Sequence, residues 1–447
     1  MTERMHLAFD LSWTHLEGRW RMPGSWTGRT YPDFRMYEEV ARIAERGCID
    51  MIFFGDGTGI PSTWRGSTAA AIQWGIGWPR LDMSPTIAAL SRVTSHIGFG
   101  LTYASTFMHP FYTARLLASL DHLSGGRIAF NVITSSRRAD AANYGFDELM
   151  EHGLRYERLE EFIAVCKALW DGIDPDAMVW DRETGQVGRP GAVRAINHAG
   201  AFFKVRGPLN TPPLPQGRPV ILQAGASPRG IQASARVADV VFGASKSLEL
   251  QVQHRQELDQ ALAAEGRAAG SVGILWDILL TVGETAEAAQ RQKQALLEAI
   301  PLEAAGAFIS HHAGYDFSQL PPRFSLKELN ERIAATQASP VGFVYRLAHE
   351  FGEATEMTRD EFFRQGMQEA TGFNDTFAGD AVQVADRLEE IFVATGSKGG
   401  FMVAHPQCTP RDLLNVVDFL VPELRRRGRF RESYEGTTLR HNLLGQA

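Results

Sequence analysis

The chain has 447 residues, 44% of them hydrophobic and 22% charged, which is ordinary for a globular protein able to bury a large core. Lys and Arg total 45 against 52 Asp and Glu, a formal charge of −7, so the basic excess of a nucleic-acid binder is missing. Three cysteines, Cys48, Cys166 and Cys408, lie far apart with no CxxC pair. That argues against a disulfide framework or a cysteine-rich zinc site, and a reducing cytoplasm is the expected compartment. Cys48 and Cys166 sit in apolar periodic segments and are expected to be buried packing residues. No apolar run approaches the roughly 18 residues that cross a bilayer, and the start MTERMHLAFDLSW lacks a signal-peptide pattern, so no membrane association is expected.

Taken in chain order, strand-like and helix-like segments alternate. Strands are expected at 5–12, 48–56, 96–105, 127–135, 219–225, 238–245, 272–283 and 399–406. Between them, FRMYEEVARIAERG (34–47) puts Met36, Val40 and Ile43 on one stripe, with Gly47 as its stop. YTARLLASLDHLSGG (112–126), YERLEEFIAVCKALW (156–170) and LNVVDFLVPELRRRG (414–428) are equally periodic. Eight apolar strands separated by amphipathic helices predict a single parallel (β/α)8 TIM barrel in preference to an open sheet. Segments 57–83, 171–218 and 301–378 break the repeat and are read as insertions into one barrel domain, elaborating its active-site face.

Catalytic groups of such a barrel gather where its strands end. Those ends carry Ser12, Asp56, Ser105, Thr106, Asn131, Thr134, Ser135 and Gln223: mostly neutral polar groups. His15 stands alone, so no metal centre is expected, and Asp56 is the one well-placed carboxylate, too few for a glycosidase pair. Hydrogen-bonding edges without metal or acid pair suit a bound organic cofactor. The turn Gly225-Ala226-Ser227-Pro228-Arg229-Gly230 opens a predicted helix. Its amides, the Ser227 hydroxyl and Arg229 could receive an oxyanion, while Ser227-Pro228 is also a good helix start on its own. His152 and Tyr156, four apart, share a helix face; they could reach a phosphate or a ring edge, or belong to a solvated helix start.

VILQAGASPRG, NVITS and EHGLRYERLEEF, together with DHLSGGR (121–127) and GTTLRHNLLG (436–445), resemble the flavin-dependent monooxygenases of the bacterial luciferase-like superfamily. The branch is the one with the nitrilotriacetate and dibenzothiophene-sulfone monooxygenases. The resemblance covers nearly the whole chain. It implies a luciferase-like barrel that takes reduced FMN from a separate NAD(P)H:flavin reductase and uses O2 through a flavin C4a-(hydro)peroxide. Ser227, Tyr156 and His152 would hold the FMN phosphate; Asp56, Thr106 and Asn131 would lie along the ring and ribityl chain. His15, in a THxxGxW-like stretch, and His312, in an SHxG-like piece beside His311, match the family's candidate catalytic histidines, with Ser135 a third polar group beside substrate. A homodimer or homotetramer is implied.

Trp13, Trp26, Phe54, Trp64, Trp74, Trp78 and Phe107 are expected near the substrate, which suits a small hydrophobic, aromatic or organosulfur compound. Arg19, Arg21, Arg65, Arg137 and Arg138 could instead answer the carboxylates of a chelator, and are read here as solvated loop charges. The alternatives are oxygenation of a polycarboxylate chelator, a deazaflavin (F420) hydride-transfer relative, and a non-catalytic flavin-binding barrel.

Overall fold

The structure, a computed structural model, describes residues 3–12, 20–22, 24–25, 33–135, 137–244, 247–336, 342–371, 377–404 and 410–445. All eight expected strands form: β1 (His6–Asp10), β2 (Met51–Phe54), β3 (Gly98–Ala104), β4 (Ile128–Ile133), β5 (Val220–Ala224), β6 (Val240–Gly243), β7 (Gly273–Val282) and β8 (Gly399–Ala404). Every neighbour pair is parallel. The register His6↔Gly400 joins β1 to β8, and Val240↔Gly273 joins β6 to β7, so the sheet closes on itself.

Near-continuous apolar strands are what a barrel buried on both faces requires. Ala8, Met51, Ala129, Leu222, Leu275 and Met402 fill the inside. Phe9, Ile52, Phe99 and Phe130 face the surrounding helices, each fully buried and each contributing about 2–3 kcal/mol of apolar transfer. Inside, Phe53 and Phe242 stack across the barrel with centroids 5.8 Å apart.

The expected helices appear with shifted ends. The first spans Arg35–Arg46 and buries Met36, Val40 and Ile43. Gly47 ends it at an ordinary φ of −76°; its lack of a side chain serves packing, because a Cβ there would lie 2.7 Å from Val417 Cγ2. The helix Pro110–Ser124 starts two residues early, capped by the His109 ring, and stops at Gly125 with φ 70°. The fourth runs from Pro410 to Arg426 through a π-type turn at Val416–Leu420, where the Val421 amide reaches back to the Val416 carbonyl just ahead of Pro422. Cys166 is buried and burial raises its thiol pKa, whereas Cys48 is only half-buried, at a turn with φ 58°. Cys408 lies outside the described residues.

Within 57–83 and 301–378 the chain folds onto itself. Trp64 meets Phe363 at 5.6 Å, and with Phe308, Ile309, Phe317 and Phe362 they form a second apolar core. At the opposite end, helix Leu439–Leu444 plugs the N-terminal mouth: Leu439 and Leu443 join the inner cluster, and Arg440 pairs with Asp239 at 2.8 Å. A cavity of about 490 Å³ lies beside this plug, lined by strand starts such as Gly273 and Gly399, and is remote from the C-terminal strand ends. Among the described residues no helix is long and apolar enough to cross a membrane.

Candidate active site

Two polar constructions stand at the C-terminal mouth. The first is the turn after β5. Ser227 caps helix Pro228–Val237, its Oγ accepting from the Gly230 N–H at 3.1 Å. The cap reading of this serine therefore holds, and it leaves the hydroxyl proton available to an anion at the positive end of the helix. Gly225 and Gly230 touch: a Cβ on Gly230 would lie 3.0 Å from Gly225 Cα and 2.9 Å from the Tyr156 hydroxyl. Tyr156, buried on helix His152–Asp171, thus points its phenol into the turn, with His152 edge-on to it at 5.2 Å. Arg229 turns aside; it pairs with Glu160 at 2.5 Å and lies over the Tyr156 ring.

The second construction joins the ends of β1, β2 and β4. Asp10 accepts from the Ser12 amide at 2.8 Å, and Ser12 Oγ accepts from the Gly55 amide at 2.5 Å. Arg80 donates to the Gly55 and Ser12 carbonyls at 3.2 and 3.3 Å and stands 3.7 Å from Asp56. Burial pushes the Asp56 carboxyl above its usual range despite that arginine. Asp140, itself buried, accepts from Ser135 Oγ at 2.9 Å and from the Gly59 amide at 2.7 Å, so one carboxylate ties the loop after β2 to the loop after β4. Arg155 donates to the Ser135 carbonyl. This network holds Ser135 at φ 48°, a left-handed conformation that costs a non-glycine residue about 1 kcal/mol or more.

Asn131 points into the barrel, one layer above Ala129. Its Nδ2 donates to Thr102 Oγ1 at 3.0 Å, while its buried Oδ1 has no partner among the described residues. An orphaned buried acceptor costs about 1–3 kcal/mol, which a ligand donor would recover. Thr106 is buried and gives its hydroxyl to the Thr134 carbonyl at 2.6 Å. Gln223 departs from the strand-end reading: it faces outward and is bound to Ser234 and the Ala224 carbonyl.

The wall is aromatic but differs from the expected set. Phe107 stacks on Tyr144 at 4.9 Å, and both line a small cavity with Asp56, Tyr103 and Asp140. Phe54 belongs to the outer core, Trp64 to the second core, and Trp74 is half-buried, donating to Glu303 at 3.2 Å. Trp78 is exposed, and Trp13 and Trp26 lie outside the described residues.

His15 also lies outside the described residues. On helix Leu302–Ala313 it is His311, not His312, that looks toward the polar network. Burial, and next the charge of Arg137, push its pKa down to about 4, opposed by Asp140. His312 is exposed, its ring packed on Phe308 at 4.2 Å. A one-residue step on a helix turns a side chain by about 100°, enough to separate the two roles. Arg80, Asp140 and Tyr144 were missed in the sequence. Asp140, five residues beyond Ser135 and opening a short helix, left the only signal.

The closed parallel barrel thus carries, at its C-terminal mouth, a helix-capped turn after β5 that offers a seat for an anionic group. Residues 13–399 match the luciferase-like monooxygenase family. The chain belongs to that family, and is a flavin-dependent monooxygenase. It is 33% identical to the dibenzothiophene-sulfone monooxygenase of Rhodococcus erythropolis (strain XP), over 98% of this chain and 96% of that one. It is 35% identical to the N-acetyl-S-(2-succino)cysteine monooxygenase of Bacillus subtilis (strain 168), over 96% and 93%. The crystal structure of DmoA from Hyphomicrobium sulfonivorans superposes with a TM-score of 0.88 at 32% identity, covering 100% of this chain and 93% of that chain.

Proposed function

We propose that the chain is the oxygenase half of a two-component system, taking reduced FMN from a separate NAD(P)H:flavin reductase and oxygenating a small organic compound, organosulfur by the likeness of its relatives. When bound, reduced FMN supplies the electrons that activate O2. The observation that carries the reading is the turn after β5. Two glycines in contact, a capping serine with a spare proton and a buried phenol converge on the positive end of a helix, as a phosphate monoester requires. Ser227, Tyr156 and His152 would hold that phosphate. Asn131, with its orphaned Oδ1, Thr106 and Asp56 would meet the ribityl chain and ring.

The chain's own residues then have three tasks. The second apolar core, built from the two insertions around Trp64 and Phe308, excludes water from the mouth. Ser135, fixed by Asp140, presents a hydroxyl whose orientation is set. His311, neutral at pH 7, can accept or return a proton at a ring nitrogen, a role for which His15 is the second candidate. Oxygen-isotope labelling tests the reading: with NADH, FMN and a free flavin reductase, methyl phenyl sulfide and (phenylthio)acetate should gain one atom from 18O2. Recovery of all electrons as hydrogen peroxide, with every probe unlabelled, would favour a flavin barrel without oxygenase activity.

A further inference from the structure

Around the mouth, several arginines among the described residues are committed. Arg80 is held by the Gly55 and Ser12 carbonyls, Arg155 by that of Ser135, Arg158 by that of Ser105, and Arg229 by Glu160. Arg137 differs. Its guanidinium packs on Gly57, beside Asp56, so closely that a Cβ at Gly57 would collide with Nη1. Among the described residues its guanidinium has no hydrogen-bond acceptor and no carboxylate within 4 Å; only its backbone is bonded, the amide donating to Ser135 Oγ and the carbonyl accepting from the Ala141 amide. The nearby carboxylates are occupied by others. Asp140 accepts from Ser135, Gly59 and Thr58, and Asp56 faces Arg80. Arg137 is thus half-buried, charged and, among the described residues, unpaired, next to the cavity lined by Tyr103, Phe107 and Tyr144. Burial lowers its pKa, and the charges of Asp140 and Asp56, beyond ion-pair distance, offset that only in part.

We infer that the substrate is an organic anion, an apolar body bearing a carboxylate, with the body against Phe107 and Tyr144 and the carboxylate received by the Arg137 fork. A planar guanidinium binds a carboxylate through two parallel hydrogen bonds, and recovers here the solvation it gave up on folding. The inference rests on the monooxygenase reading of the same site and narrows its substrate class.

The test compares (phenylthio)acetate with the matched neutral (phenylthio)acetamide, and acetate with acetamide. Each is titrated into the FMN-loaded protein by flavin difference absorbance and into the flavin-free protein by calorimetry. The carboxylates should bind about thirtyfold tighter than their amides. Arg137→Gln should erase that preference, Arg137→Lys should restore part of it, and both should leave FMN affinity unchanged. Equal binding of acid and amide by the unaltered protein, or failure of every carboxylate to bind, would overturn the inference. So would a loss of FMN affinity in Arg137→Gln, which would make this arginine a flavin ligand. Absence of FMN binding by the unaltered protein would instead strike the functional reading, and calorimetry on the flavin-free protein would still decide the anion question.

Discussion

Gly230→Ala probes the turn after β5 with a single methyl group. The new Cβ would stand 2.9 Å from the Tyr156 hydroxyl and 3.0 Å from Gly225 Cα. Backbone on one side cannot yield, so the phenol must move. Overpacking of this kind costs about 1–3 kcal/mol of stability. Displacing one hydrogen bond to a charged phosphate costs binding about 1.5–3 kcal/mol, or roughly 10- to 150-fold in affinity. The assay is parallel titration of the variant with FMN and with riboflavin, beside thermal unfolding without ligand. The expectation is a large loss for FMN and little change for riboflavin, which carries no phosphate. Adding Tyr156→Phe should relieve part of the strain and recover melting temperature without recovering FMN preference. Unchanged FMN affinity in Gly230→Ala, or equal losses for both flavins, would refute the placing of phosphate here.

His311→Asn should cut turnover at least about a hundredfold, the usual scale for a lost proton-transfer group, while His312→Asn should leave it within a fewfold; steady-state rates separate them. His311 also shapes stability against pH. Its folded pKa of about 4 lies below the ordinary 6.5, so the unfolded chain binds the proton first and stability falls as pH drops through that window. The slope is at most about 1.4 kcal/mol per pH unit, and urea melts of His311→Gln should show it reduced. Asp140→Ala strips acceptors from Ser135 and the Gly59 amide, and should destabilise by about 2–3 kcal/mol while lowering turnover. Arg127→Met should lower the melting temperature with little effect on FMN affinity. The buried Arg127 guanidinium serves the Ser124, Ile97, Ser91 and Thr94 carbonyls, far from the mouth.

The barrel was legible because both faces of each strand are apolar and the helices between them keep a 3.6-residue stripe. Pattern placed the strands; it could not place their ends, since the cap by His109 and the π-type turn before Pro422 depend on single local bonds. At the site, the turn after β5 was readable because glycines, a serine and a proline at a helix start carry their mechanism in one short stretch. Gln223 shows the limit: on a strand, one step in register decides between the mouth and the outer helices. His311 and His312 show the same limit on a helix. Arg137 reads as an ordinary loop charge until the Gly57 backbone is seen packed against it, because burial of a loop side chain comes from segments distant in sequence. DHLSGGR and GTTLRHNLLG prove to be architectural: Asp121 accepts from Gln216 Nε2 at 2.6 Å, Arg127 gathers carbonyls, and the C-terminal helix plugs the barrel.

The most direct check of the flavin site is anaerobic equilibrium binding of photoreduced FMN and photoreduced riboflavin to the unaltered protein and to Ser227→Ala. FMN should bind at least about tenfold tighter than riboflavin, and the serine variant should shrink that margin by removing one charge-assisted hydrogen bond. Equal affinity for the two flavins, or a margin indifferent to Ser227, would contradict the account.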